Sequence, residues 1–310
     1  MRSYRDTGTL SFSNTLNLVH PSPSDQISNT ERSRGNWSKL GLGTGTLASL
    51  GRAASASDVD RVLTAMVEIG AKIIDTADSY ASGDCEILLG KAVRGKRHFF
   101  TLVTKAGYRL SNLPGPLRPL NQFVKKGIHR LGERQCFESS YLEKCLDHSL
   151  SRLQTDHVEA FLLHDPPLEA VTDDAVQNLC VKLRKSGKAI LTGVSSENPE
   201  TLRAAIASGV FSVIQTPANL NAAKSLRAIW QECEIRGIHV IGNHVYSPAC
   251  LGHSGMNHEM LMRASAALLP ADATILCGTR NPSHLHQANE WAHDPLTATE
   301  AKRLAVIAES

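Results

Sequence analysis

The chain has no C-x-x-C pair and no regular spacing among its seven cysteines. An odd count without a framework argues against a disulfide scaffold and points to reduced thiols in a cytoplasmic protein. No apolar run reaches the length of a membrane span. No apolar h-region stands near the start, so a secretory signal is not expected. The Arg- and Ser-rich start suggests an organelle-transit segment only weakly, and Asp6, Asp25 and Glu31 count against it. The formal net charge of +3 is small, and no basic-aromatic stripe accompanies it, so nucleic acid is not an expected partner. Zinc-hydrolase spacings are missing too. The first strand candidate has no histidine, His284-Leu285-His286 falls late, and His258-Glu259 is followed by Met262 where a zinc helix needs its second His. No metal is expected.

What remains is a soluble globular composition, 42% hydrophobic and 20% charged over 310 residues. Residues 1–37 show no sustained period and read as a flexible extension, with a short ordered piece around Leu16 to Val19. From residue 38 to 310 a rhythm sets in. Strand-length apolar runs (Leu40–Gly43, Lys72–Ile74, Phe99–Thr104, Val158–Leu163, Ala189–Val194, Ser212–Gln215, His239–Ile241, Thr274–Cys277) alternate with helical segments. The helical segments carry end signals. Ser57 or Asp58 caps the first and Gly70 follows it; Gly187 and Gly237 stop two others; Asn198-Pro199 opens another. On the helix over Ser139–Leu153, the residues Ser140, Leu142, Leu146 and Leu150 mark the buried side. Eight strand–helix alternations predict parallel strands closed into an α/β (β/α)8 TIM barrel, with a doubly wound sheet as the runner-up. In a barrel the strands of Leu40 and Thr274 must be neighbours.

One stretch breaks the rhythm. Residues 106–137 contain Leu113-Pro114-Gly115-Pro116 and a short amphipathic segment over Leu120–Leu131, longer than an ordinary connection. Arg109, Arg118, Lys125, Lys126, His129, Arg130 and Arg134 face a single acid, Glu133. The plain reading is a solvated insertion. The sharper one is a basic lid over an anionic substrate or the phosphates of a cofactor.

The strand ends carry the chemistry, because ligands of such barrels bind at the carboxyl ends of the strands. Strand two runs out into Asp75-Thr76-Ala77-Asp78-Ser79-Tyr80, strand three into Thr104-Lys105, and strand four into Leu163-His164-Asp165. A lysine at a strand end, or a histidine after two leucines, is singly more often structural. Together the groups form a proton-donating site. Tyr80 is the acid, an adjacent Lys105 lowers its pKa, Asp75 holds Lys105, and a neutral His164 orients a carbonyl. That site suits hydride reduction of an aldehyde or ketone to an alcohol, or the reverse. Arg280, at the end of strand eight, has the planar fork that matches phosphate oxygens. Gly41-x-Gly43-x-Gly45 misplaces the third glycine of a Rossmann turn.

The ordered set Leu40-Gly41-Leu42-Gly43-Thr44, Asp75 to Tyr80, Thr104-Lys105, Leu162-Leu163-His164, Gly193-Val194-Ser195, Gln215 with Asn219, and Gly278-Thr279-Arg280-Asn281-Pro282 resembles the aldo-keto reductase family. The resemblance implies an oxidoreductase using NADP(H), NADPH in preference to NADH, bound without a Rossmann domain. It implies a catalytic tetrad of Asp75, Tyr80, Lys105 and His164. It places Gly43, Thr44 and Asp75 by the nicotinamide ribose, and Ser195, Ser196 and Gln215 at the carboxamide. Tyr246 would stack on the nicotinamide. Thr279 and Arg280 would meet the 2′-phosphate of NADP and Gln287 the adenine, with Gly278 and His284 also counted as cofactor-binding. Ser196 stands where many members have Asn, and Ala288 where they have another Asn; Asn289, one place late, is turned by ~100° on a helix. The partner expected is a small carbonyl or alcohol, with an anionic one following from the basic lid. The alternative function is a cofactor-binding regulatory subunit on the same barrel.

Overall fold

The computed structural model describes residues 37–47, 54–109, 135–246 and 256–309. Eight strands pair in parallel in chain order: β1 (Leu40–Gly43), β2 (Ile73–Asp75), β3 (Thr101–Ala106), β4 (Val158–His164), β5 (Ala189–Ser195), β6 (Val213–Pro217), β7 (His239–Asn243) and β8 (Thr274–Cys277). The sheet closes where β1 meets β8, with Leu40 opposite Ile275, so the neighbour relation that a barrel demands is met and a doubly wound sheet is ruled out.

Period-two alternation sorts each strand into an inner and an outer face. Ile73, Val103, Ala160, Leu162, Leu191, Val213, Ile241 and Leu276 fill the barrel. The residues between them, such as Ile74, Leu102, Phe161, Leu163, Val194, Ile214 and Ile275, belong to the layer beneath the helices. Continuing the same count, Asp75, Lys105, His164, Ser195, Gln215 and Asn243 come up on the inner face at the carboxyl end. Gly193 is required by closure: a Cβ there would lie 2.1 Å from the Val213 carbonyl oxygen on β6.

The helices follow their predicted ends with small, explicable shifts. Helix α1 (Ala56–Glu68) is capped by Ser55, not by Ser57 or Asp58. Asp58 is instead the third helical residue of a reciprocal capping box, accepting from the Ser55 amide while Ser55 accepts from its own. Val59, Val62, Leu63 and Met66 on this helix are fully buried, each contributing roughly 1.5–3 kcal/mol. Helix α2 (Asp84–Ala92) and helix α3 (Ser139–Leu153) follow β2 and β3. On α3, Ser140 is exposed, and Cys145 and Ser149 take the place expected for it on the buried side. Helices α4 (Leu168–Thr172), α5 (Asp174–Lys185), α6 (Pro199–Ser208), α7 (Leu220–Arg236), α8 (His258–Leu268), α9 (Pro282–His293) and α10 (Ala298–Glu309) complete the ring.

Three elements depart from the pattern. The short α4 has too few residues for a helical period to show. β3 begins at Thr101 because Arg97–Phe99 forms a 3-10 turn that leaves Phe99 48% exposed. A second 3-10 turn, Tyr80–Gly83, follows β2. The pieces expected at Leu16–Val19 and Leu120–Leu131, most of the 1–37 extension and most of the 106–137 insertion lie outside the described residues.

The amino end of the barrel is finished by Trp37, whose ring stacks on His239 with centroids 4.1 Å apart. Burial pushes His239 down to about 3, so it stays neutral, with Nε2 3.1 Å from the Thr274 hydroxyl. A cavity of about 620 Å³ opens here, at the end opposite the polar strand ends. Among the described residues no helix is long and apolar enough to cross a membrane, and the six cysteines are buried free thiols.

Candidate active site

β2 and β3 run side by side, with Asp75 paired to Val103, so their inward-facing ends are adjacent. The Lys105 ammonium lies 2.6 and 2.7 Å from the two oxygens of Asp75, and both side chains are buried. Burial opposes the charge on Lys105, but Asp75 outweighs it and raises the lysine's pKa above its ordinary value. Lys105 is therefore a permanent cation at neutral pH. Removing either partner would strand a buried charge, at a cost of ~3–5 kcal/mol.

Tyr80 reaches the same point from the 3-10 turn. Lys105 Nζ lies 5.3 Å from the centre of its ring. Ala81 and Ser82 have φ of 48° and 56°, and Gly83 has φ of 91°, so three consecutive left-handed residues fold the chain back behind the phenol. Left-handed backbone costs roughly 1–2 kcal/mol per non-glycine residue, and such strain persists where its surroundings hold it. Gly45 passes close on the other side: a Cβ there would touch the Tyr80 ring at 3.7 Å.

The direction of Tyr80's pKa corrects the expectation. Burial raises it above that of a free tyrosine, Lys105 pulls it down as expected, and Asp75 pushes it up again. Sequence reasoning counted the ammonium and left out desolvation and the carboxylate. The phenol is thus held protonated.

His164, at the end of β4, faces Tyr80 edge-on at 6.0 Å between ring centroids. Its Nδ1 is 3.5 Å from the Ser79 hydroxyl and its Nε2 3.9 Å from Asp165. Asp165, itself at φ 50°, accepts from the Tyr108 hydroxyl at 2.8 Å. Asp75, Tyr80, Lys105 and His164 therefore do converge.

A hydrogen-bonded chain extends from Asp75 across the mouth. Gln215 Nε2 donates to Asp75 Oδ1 at 2.8 Å, and the Ser195 hydroxyl donates to Gln215 Oε1 at 2.8 Å. Thr44 donates its hydroxyl to the Asp75 carbonyl at 2.8 Å, and Gly43 pairs with Asp75 across the ladder. Ser196 Oγ accepts from the Asn198 amide at 3.1 Å. Ser195, Ser196 and Asn243 lie on a cavity of about 590 Å³, whose charged walls are the acids Asp165 and Glu197. Asn219, part of the motif, is structural here: it caps α7 and donates to the His244 carbonyl.

A second cavity at the mouth, about 290 Å³, is lined by Tyr246, Gly278, Thr279, His284, Gln287 and Trp291, among others. His284, Gln287 and Trp291 recur along one face of α9, and Ala288 is fully buried beside that face. Arg280 does not line this cavity. It is half-buried and lies near Asp58, whose carboxyl is held below its usual range by the Ser55 hydrogen bonds and then by the charges of Arg61 and Arg280.

Behind the site, sequence reasoning missed a buried polar cluster. Glu86 accepts from the Thr104 hydroxyl at 2.6 Å and from Arg152 Nε at 2.7 Å. Asp78 is fully buried with neither carboxylate oxygen hydrogen-bonded. Burial, reinforced by Glu86, lifts its pKa to about 7, and Arg152, the Cys145 thiol and the Ser79 amide approach without completing a bond. Asn243 Oδ1 is likewise buried without a partner.

A family model described as the aldo/keto reductase family matches residues 39–251. Pyridoxal 4-dehydrogenase of Microbacterium luteolum is 33% identical over 134 residues, 41% of this chain and 39% of that one. NADH-specific methylglyoxal reductase of Escherichia coli is 24% identical over 68% of this chain and 63% of that one. A solved aldo/keto reductase from Klebsiella pneumoniae in complex with NADP and acetate superposes with a TM-score of 0.63 at 21% identity, over 87% of this chain and 91% of that one. The chain spans half or less of the length of the first curated relatives it matches, 41%, 39% and 50%.

Proposed function

The chain belongs to the aldo/keto reductase family, and from that premise we propose that it transfers hydride between NADP(H) and a small carbonyl or alcohol, with Tyr80 as the proton donor. The observation that carries this reading is the convergence of a buried, charge-paired Lys105, a protonated Tyr80 and His164 at one strand-end site. Polar groups fit for a nicotinamide dinucleotide surround it. Gly43, Thr44 and Asp75 would hold the ribose, Ser195, Ser196 and Gln215 the carboxamide, and Tyr246 the ring. Gly278, Thr279, His284 and Gln287 line a cavity beside the start of α9, where the positive end of the helix dipole favours an anion. Arg280 is the proposed contact for the 2′-phosphate and the source of a preference for NADPH.

When bound, the reduced nicotinamide supplies the hydride to the carbonyl carbon. The chain's own residues do the rest. His164 holds and orients the carbonyl oxygen. As charge builds on that oxygen, Tyr80 gives up its proton, and the alcohol leaves. An alkoxide is about as basic as hydroxide, far more so than a phenolate, so transfer from even a raised tyrosine runs downhill. Lys105 then stabilises the phenolate, and Asp75 keeps Lys105 in place. In the reverse direction the same pair draws the proton from an alcohol. No observation favours the regulatory-subunit alternative.

The test is steady-state oxidation of NADPH and of NADH with a panel of small aldehydes and ketones. Turnover with a lower KM for NADPH, lost in Arg280→Ala, is the expected result. Cofactor bound but never oxidised would give the regulatory reading the lead. An Arg280→Ala variant equally impaired with both cofactors would remove the phosphate contact.

A further inference from the structure

The residues expected to receive the nicotinamide carboxamide are already committed to one another. The Ser195 hydroxyl donates to Gln215, Gln215 donates to Asp75, and Ser196 Oγ accepts from the Asn198 amide. The Asn that many family members carry in place of Ser196 is missing from this chain. Among the described residues on the same cavity, one buried acceptor has no hydrogen-bond partner.

Asn243 is the last residue of β7. It faces the barrel interior by alternation from Ile241 and pairs with Pro217, two residues beyond Gln215, so it stands one step nearer the mouth than Gln215. Its backbone is fixed. The Asn243 carbonyl accepts from the Ala218 amide at 2.7 Å, and the carbonyl of His244, at φ 50°, accepts from Asn219 Nδ2 at 3.0 Å. Yet Asn243 Oδ1 is buried without a hydrogen-bond partner, on the wall shared with Ser195 and Ser196. A buried amide oxygen without a donor is costly, and native structures rarely keep one without a reason. An incoming N–H would complete it.

We propose that Asn243 is a further cofactor-positioning residue: its side-chain oxygen accepts a hydrogen bond from the carboxamide N–H of the nicotinamide. It does from β7 the task that Asn performs at position 196 in many relatives. The inference rests on the reading of the mouth as a dinucleotide site. It goes beyond that reading in naming a residue outside the family motif and a single atom of the cofactor.

The test is a fluorescence titration of the full-length wild type and Asn243→Ala with NADPH and with its 3-acetylpyridine analogue, in which a methyl group replaces the amide nitrogen. Wild type is expected to bind NADPH about tenfold more tightly than the analogue, the worth of one hydrogen bond. Asn243→Ala is expected to bind the two alike, through a loss confined to NADPH. Equal weakening of both ligands would mean a packing role and overturn the proposal, as would a variant that keeps the wild-type preference. Asn243→Ser, read in the same way, replaces the alanine variant if that one does not fold. Wild type binding neither dinucleotide would remove the dinucleotide reading and this inference together; wild type binding both, with preference unchanged in the variants, would remove the inference alone.

Discussion

At the scale of single residues, the site depends on which buried charges have partners. Lys105 and Asp75 have each other, and Lys105 stays charged at neutral pH. Asp78, three residues along, has no such partner, and its pKa of about 7 makes it a pH-sensitive weak point of the turn that carries Tyr80. The sign follows from linkage. Between its ordinary 3.8 and about 7, the folded state keeps a proton that the unfolded chain has released, so this group's contribution to stability falls as the pH rises through that window. The effect is bounded at ~4 kcal/mol. Asp78→Asn cannot ionise, so its melting temperature should gain on that of the wild type between pH 5 and pH 8. Melting curves that stay parallel across that range would show that Asp78 is not held protonated. The direction of Tyr80's pKa also belongs to this scale. The lysine was legible in the sequence, but the burial that outweighs it was not, because desolvation depends on what covers a residue.

At the scale of elements, the turn after β2 is the part least legible in advance. The run Ala81-Ser82-Gly83 reads as a loop of small residues; that all three adopt left-handed backbone is not written in their residue types, and Gly83 among them packs against Arg152 of α3. Gly83 is the tightest point, since a Cβ would lie 2.9 Å from the Arg152 side chain, which holds Glu86. Gly83→Ala should therefore destabilise the protein by ~1–3 kcal/mol and lower turnover by loosening Tyr80. Unchanged stability and turnover would mean the turn is not over-determined in this way. Helix starts show the same limit. Ser55, Ser57 and Asp58 are all competent caps within four residues, and the choice of Ser55 lies in its reciprocal bonds with Asp58. Most of the basic insertion expected as a lid lies outside the described residues, and the described wall of the mouth carries Asp165 and Glu197.

At the scale of the whole molecule, the barrel was legible because one rule is applied eight times. A strand-length run precedes a helical segment each time, and six of the strands, β2 to β7, end by turning a polar side chain into the mouth. Asp75, Lys105, His164, Ser195 and Gln215 were found by that rule together with the family motif. The bond from Gln215 to Asp75, between residues 140 positions apart, could not be, because register across a closed sheet is a property of the fold. Asn243 obeys the same inward count but sits in no motif, so only its empty oxygen marks it. The account's central claim is that this mouth reduces carbonyls with Tyr80 as the acid. The measurement that tests it most directly is NADPH binding and aldehyde turnover by Tyr80→Phe beside wild type. The account predicts NADPH affinity within about twofold of wild type and a fall in kcat of ~10²–10⁴ or more. Turnover near the wild-type rate would contradict it and remove Tyr80 as the proton donor.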